Sequence, residues 1–218
     1  MCFSANASFA IAAATSVVGL VTLRQITHPK EILLAVMPFL FAIQQLVEGL
    51  LWLQLTGKGD PEIISLLSLI FQIFAKMLWP AYVALAVYLV EIKKNRKNIL
   101  LALTIVGFLL SINLMFDLYG TPIYAAVNGH SIDYSSEATI LYWQMLPYFL
   151  CTIGAFFLSS HKFIQVFGAV ILFGFAVSAM AYLATFTSVW CFFAAAASTI
   201  LYFHFKRTVP LEQSLIKN

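Results

Sequence analysis

The sequence predicts an all-α protein, a single seven-helix transmembrane bundle with its amino terminus outside and its carboxyl terminus in the cytoplasm. Three observations carry that expectation. Of 218 residues, 62% are hydrophobic and 10% charged, against about 25% charged in soluble domains. The apolar residues fall in runs close to the about 20 residues that cross a hydrocarbon core as a helix, and the links between them are too short for a soluble domain. The basic residues also segregate: Arg24, Lys30, Lys93, Lys94, Arg96, Lys97, Lys162, Lys206, Arg207 and Lys217 lie on one set of links and the tail, and only Lys58 on the other. The basic side is expected to be cytoplasmic.

Taken in order, span one covers residues 8–23, rich in the small residues that let helices approach closely, and ends at the basic link Arg24 to Lys30. No positive charge precedes its apolar segment and Arg24 follows it, so it is read as a retained helix rather than a cleaved signal. Span two covers 32–55 and stops at Thr56-Gly57-Lys58-Gly59-Asp60, a break marked by glycine and aspartate. Span three opens with Asp60 as cap, Pro61 at the first helical position and Glu62 on the positive end of the dipole. Running to Glu91, it is on the order of 45 Å long, more than a bilayer core needs, so it must protrude, tilt or kink at Pro80, and a kink with protrusion outside is favoured. Span four covers 99–119. Residues 120–137 form the longest loop, read as a lid or a plain connection. Spans five, six and seven cover 138–158, 163–184 and 189–205, with a link at Thr185 to Ser188. Residues 1–205 thus form one domain, and 206–218 a short polar tail.

The stretch Phe41 to Trp52, FAIQQLVEGLLW, places Gln44, Gln45, Glu48 and Trp52 on one face of span two. A charge at the centre of a spanning helix costs roughly 2.5–3.5 kcal/mol on insertion scales, so such a residue turns to the bundle interior and marks a functional site by default. On span three the same spacing aligns Ser65, Ser68, Gln72, Lys76 and Trp79. Matching depths pair Glu48 with Lys76. That pair either fixes how the two helices pack or lines an outward-opening cavity, to which Asn113, Asp117 and Gln144 in the same half of the bundle would contribute. A retinal Schiff base at Lys76 is set aside, because microbial rhodopsins carry their lysine on the last helix.

Cys2 and Cys191 are both expected on the outer side, near one another, as a disulfide, a soft-metal site or two unrelated apolar thiols. They lack the spacing of a zinc or redox motif. His28, His161 and His204 fall at the cytoplasmic edge and His130 in the outer loop, so a three-histidine zinc site within the bundle is not expected. Trp52, Trp143 and Trp190 are read as an aromatic belt at the outer interface. The small net charge of +3 gives no reason to propose nucleic acid as a partner.

The opening MCFSANASF, the stretches QQLVEG and LLW, the pair Trp79-Pro80 and the segment SVWCFFAA resemble an uncharacterised family of bacterial multi-pass membrane proteins that begin MCFSA. The resemblance implies residence in a bacterial inner membrane and assigns no activity. The residues themselves favour a protein that binds or transports a small polar or amphiphilic ligand, with Gln44, Gln45, Glu48, Trp52, Gln72, Lys76, Trp79, Asn113 and Gln144 as candidate ligand-binding residues. The alternatives are an outer-face enzyme using a Cys2 or Cys191 thiol or a soft metal, with Glu48 as general base, and a structural subunit of a membrane complex. Besides the lipid bilayer, the partner expected is a small molecule or a lipid. Composition points to no particular cofactor, ligand or oligomeric state.

Overall fold

The computed structural model describes residues 4–119, 123–136 and 142–206. Among these, six helices are long and apolar enough to cross a membrane, and a seventh apolar helix is shorter. Helix α1, Ala5–Leu23, begins at Ser4, whose hydroxyl accepts from the Ala7 amide. Its buried face is Ser8, Ala12, Thr15, Gly19 and Thr22, small residues at alternating steps of four and three. The hydroxyls of Thr15 and Thr22 turn back to the Ile11 and Val18 carbonyls, each at 2.7 Å, so α1 lies against α2 without polar groups demanding partners across the contact.

Helix α2, Ile32–Thr56, follows a short turn in which Glu31 Oε2 accepts from the amides of Thr27 and His28. Pro38 interrupts its first half, and Tyr82 on the next helix donates to the nearby Leu33 carbonyl at 2.6 Å. Helix α3 runs Pro61–Val90 and starts as the sequence predicts, Asp60 accepting from the Glu62 amide at 2.8 Å. A π turn over Ile73–Leu78 lies just before Pro80, where the sequence suggests a kink. Proline has no N–H to offer residue 76 and its ring crowds that carbonyl, and the wider turn relieves the crowding at the cost of stranding carbonyls. Ser111 donates to the Met77 carbonyl at 2.5 Å and Tyr148 to that of Ala75, so two carbonyls of this stretch find partners inside the bundle, as a membrane interior favours.

Helix α4, Lys94–Leu118, packs along the second half of α3 and against its π turn. A Cβ on Gly107 would lie 2.4 Å from the Pro80 carbonyl oxygen, so the approach depends on glycine. The segment after α4 is a β-hairpin, β1 Ile123–Asn128 and β2 Ser131–Ser136, antiparallel with Asn128 opposite Ser131. Gly129 holds φ at +62° and no other described residue has positive φ, which is the two-residue turn with glycine first that matches the twist of paired strands.

Helix α5 covers Tyr142–Phe149 and continues through a second π turn, Leu150–Gly154, to Ala155–Leu158; the expected start of this span falls outside the described residues. Helix α6 is Lys162–Ala181. Helix α7 starts at Phe186 and continues to Lys206. The link before it is a turn at Leu183–Thr185, earlier than the Thr185 to Ser188 link expected, so Ser188 belongs to the first turn of α7. The Lys206 end of the expected tail is helical, and residues 207–218 lie outside the described residues.

The core between α2, α3, α5, α6 and α7 is aromatic. Phe41 stacks on Trp79 with centroids 4.1 Å apart, and Trp190 meets the edges of Phe175 and Tyr148. The opposite faces carry exposed Leu46, Leu50, Leu53, Ile105, Leu109, Phe116 and Phe173, an arrangement suited to hydrocarbon rather than water as the surrounding solvent. The basic links gather at one end, and the hairpin caps the other, against α2, α3 and α7.

Candidate functional site

Beneath the hairpin lies a polar cluster built from four elements. The three-residue step from Gln45 to Glu48 puts both on the interior face of α2, and Gln45 Nε2 donates to Glu48 Oε2 at 2.9 Å. The α7 turn brings Ser188, whose hydroxyl donates to Glu48 Oε1 at 2.6 Å. Gln44 bridges α3 and α7: its Oε1 accepts from Trp79 Nε1 at 3.1 Å, and its Nε2 reaches Cys191 Sγ at 3.2 Å. Gln44, Gln45 and Glu48 are all buried.

The fourth element is the hairpin itself. Ile132 and Tyr134 share its inward face with Ala125, opposite Tyr134 in the register, and Ile132 packs with Leu51, Trp52 and Val189. Tyr134 lies flat on Phe71, centroids 4.5 Å apart and planes 2° from parallel. Its ring is half-buried but its hydroxyl is fully buried and faces the Glu48 carboxylate. Burial first, and then the facing Glu48 carboxylate, push this phenol well above its ordinary pKa, so it stays protonated. The loop expected as a lid or a plain connection is, over residues 123–136, an ordered cover with one aromatic side chain over the polar cluster.

The expected pairing of Glu48 with Lys76 is replaced by two separate environments. Glu48 is held by Gln45 and Ser188, whereas the carboxylate acting on Lys76 is Asp117. Asp117 belongs to a second cluster in which Gln144 Nε2 donates to Asn113 Oδ1 at 2.7 Å and to Asp117 Oδ2 at 2.8 Å, tying α5 to α4. The π turn contributes to the separation, since it shifts the phase of α3 between Gln72 and Trp79 and breaks the straight stripe that uniform helical spacing predicts. Ser65, at the start of that stripe, is exposed, while Ser68, Gln72, Lys76 and Trp79 are buried.

A cleft of about 400 Å³ lies beside these clusters, among α3, α5, α6 and α7. Lys76 and Thr187 are its hydrophilic members, and Phe149, Phe175, Phe186 and Trp190 supply aromatic wall. Of the nine residues expected to bind ligand, Lys76 lines this cleft; Trp79 lines a smaller gap of about 30 Å³ deeper in the bundle. Gln44, Gln45 and Glu48 form the packed cluster instead, and Trp52 sits in the apolar seat of the hairpin.

Cys191 borders both spaces and is a buried thiol; the expected nearness of Cys2 to it lies outside the described residues, because Cys2 does. Among the described residues no group of three or more His, Cys, Asp or Glu is placed to hold a metal ion. The aromatic belt also needs correction: Trp143 is 60% exposed, but Trp52 and Trp190 are 5% and 9% exposed and belong to the interior. Sequence reasoning missed Ser188 and Tyr134. Ser188 sat in a stretch read as a link, and Tyr134 in a loop whose strand alternation, Ile132 and Tyr134 against Asp133, was the signal available.

Residues 1–214 match a family of unknown function, DUF6629. No curated protein and no solved structure matches the chain.

Proposed function

The chain belongs to the DUF6629 family, and we propose that it is a seven-crossing protein of a bacterial cytoplasmic membrane that binds or transports a small amphiphilic ligand in the cleft among α3, α5, α6 and α7. The seventh crossing is α5, supported by its two ends. Its Gln144 joins the distal end of α4, and the link after it is fastened to the start of α4, Arg96 donating to the Ser159 carbonyl at 2.8 Å. The hairpin end faces outward in this reading, because the basic links lie at the other.

The observation that carries the ligand is the cleft's composition. Its volume of about 400 Å³ falls within the range of small-molecule sites, about 300–1,000 Å³, which are mostly apolar with a few placed polar groups. The aromatic wall suits an apolar body, and Lys76 at its edge suits a polar or anionic head. A purely polar ligand fits such a lining poorly, which narrows the sequence expectation.

The test is quenching of Trp190 by a brominated fatty acid added to the detergent-purified protein. Saturable quenching is expected, lost in Trp190→Phe and weakened about tenfold in apparent affinity by Lys76→Met. A Phe186→Trp variant, which fills the cleft, should block it. Non-saturable quenching unchanged by filling the cleft would mean that Trp190 senses only bulk detergent or lipid, and would overturn the proposal.

A further inference from the structure

We propose that the cluster beneath the hairpin is a binding site for a small monovalent cation, formed by the Glu48 carboxylate, Gln45 Oε1 and the hydroxyls of Tyr134 and Ser188. This site is distinct from the cleft, and the inference does not rest on the ligand proposed there. Glu48 is 2% exposed, and the groups turned toward its carboxylate, Gln45, Ser188 and the Tyr134 hydroxyl, are all neutral. Neutral donors orient a carboxylate but leave its charge uncompensated, and a buried charge needs a counter-charge or a proton.

The atoms around it have the donors a cation takes. Gln45 Oε1 is buried with no hydrogen-bond partner, although its own amide nitrogen is 2.9 Å from Glu48. The unpartnered oxygen therefore belongs to the same amide that donates to the carboxylate. The Tyr134 hydroxyl is buried and faces Glu48. Both are oxygens with free lone pairs, and Ser188 Oγ, after donating to Glu48 at 2.6 Å, keeps its own. Carboxylate, amide carbonyl and hydroxyl oxygens are hard ligands, which select alkali or alkaline-earth ions over soft metals. One carboxylate balances one positive charge. A divalent ion would leave an excess charge in an apolar bundle, so the class is an ion such as sodium or lithium. Gln44 and Cys191 are engaged with each other at 3.2 Å, which leaves sulfur out of the set. Tyr134 comes from the hairpin, so ion occupancy and closure of this cover would favour one another.

The experiment follows thermal unfolding of the full-length protein in detergent, at one pH and one ionic strength, in lithium, sodium, potassium or choline chloride. Sodium or lithium is expected to raise the midpoint by several degrees over choline, saturably. Glu48→Gln should abolish that difference. Should Glu48→Gln fail to fold, Tyr134→Phe and Ser188→Ala, which keep the carboxylate, should each raise the half-saturating concentration several-fold. Equal midpoints in all four salts would overturn the site. So would a midpoint that follows pH alone, because a proton would then neutralise Glu48.

Discussion

Glu91 lies between α3 and α4, outside every span, and shows what a buried carboxylate needs in order to stay charged. Burial alone would raise its pKa, but hydrogen bonds from the Ser160 hydroxyl and amide, both at 2.6 Å, and from the amides of Lys93 and Ile92 outweigh that and hold it below the ordinary value. A carboxyl whose folded pKa is depressed contributes stability that is full above its unfolded value of about 4.3 and is lost as pH falls through the folded value. Glu91→Gln replaces one accepting oxygen with an NH2 group and so turns a donor toward donors, at a cost of about 1–3 kcal/mol, so it should lower the unfolding midpoint at pH 7.5. The gap from wild type should narrow as pH is taken below 4, and an unchanged gap would mean that Glu91 is not held ionised by these bonds. Glu48 and Lys76 give a second prediction at this scale. Because each has its own surroundings, Glu48→Gln and Lys76→Met should add, with coupling within about 0.5 kcal/mol. Recovery of stability in the double variant would restore the direct pair that the sequence suggested.

At the scale of elements, the π turn of α3 and the glycine opposite it form one device. Ser111 donates to the Met77 carbonyl within the π turn, and Gly107 admits α4 close enough for that bond to form. Ser111→Ala should cost about 1 kcal/mol. Gly107→Ala, which drives a methyl against the Pro80 backbone, should cost about 1–3 kcal/mol. Both are read from thermal or denaturant midpoints, and a neutral Gly107→Ala would mean that α4 does not approach there. The start of α3 was legible in sequence because capping is local: Asp60, Pro61 and Glu62 suffice. The π turn was not, since proline fixes where a helix must yield but tertiary partners such as Ser111 and Tyr148 decide how. The hairpin was hidden similarly. Gly129 and the alternation of Ile132 with Tyr134 are weak signals in a short polar stretch, and its order comes from packing on Leu51, Trp52 and Val189. The polar face of α2 was plain from spacing, whereas its partners lay on elements that spacing within α2 does not reach.

At the scale of the whole molecule, charge and connectivity make one prediction together. The fastening of Glu91 and Arg96 to residues 158–160 puts the links after α3 and after α5 at the same end. The hairpin lies at the opposite end, on the first turns of α3 and α7. In the proposed seven-crossing arrangement α5 then crosses the bilayer, although its apolar stretch, Trp143–Leu158, spans only about 24 Å at 1.5 Å per residue, a mismatch that local thinning can absorb. Cysteine scanning in intact cells tests this in a Cys2→Ser background, where the remaining thiols, Cys151 and Cys191, are buried. An impermeant thiol reagent should label Lys58→Cys and Val127→Cys, both at the hairpin end, and should reach Lys94→Cys and Lys162→Cys only after the cells are opened. Labelling of all four from outside would break the inference that α5 crosses. Labelling of the lysine 94 and 162 positions alone would keep the bundle but invert it, and the cover over Glu48 would then face the cytoplasm.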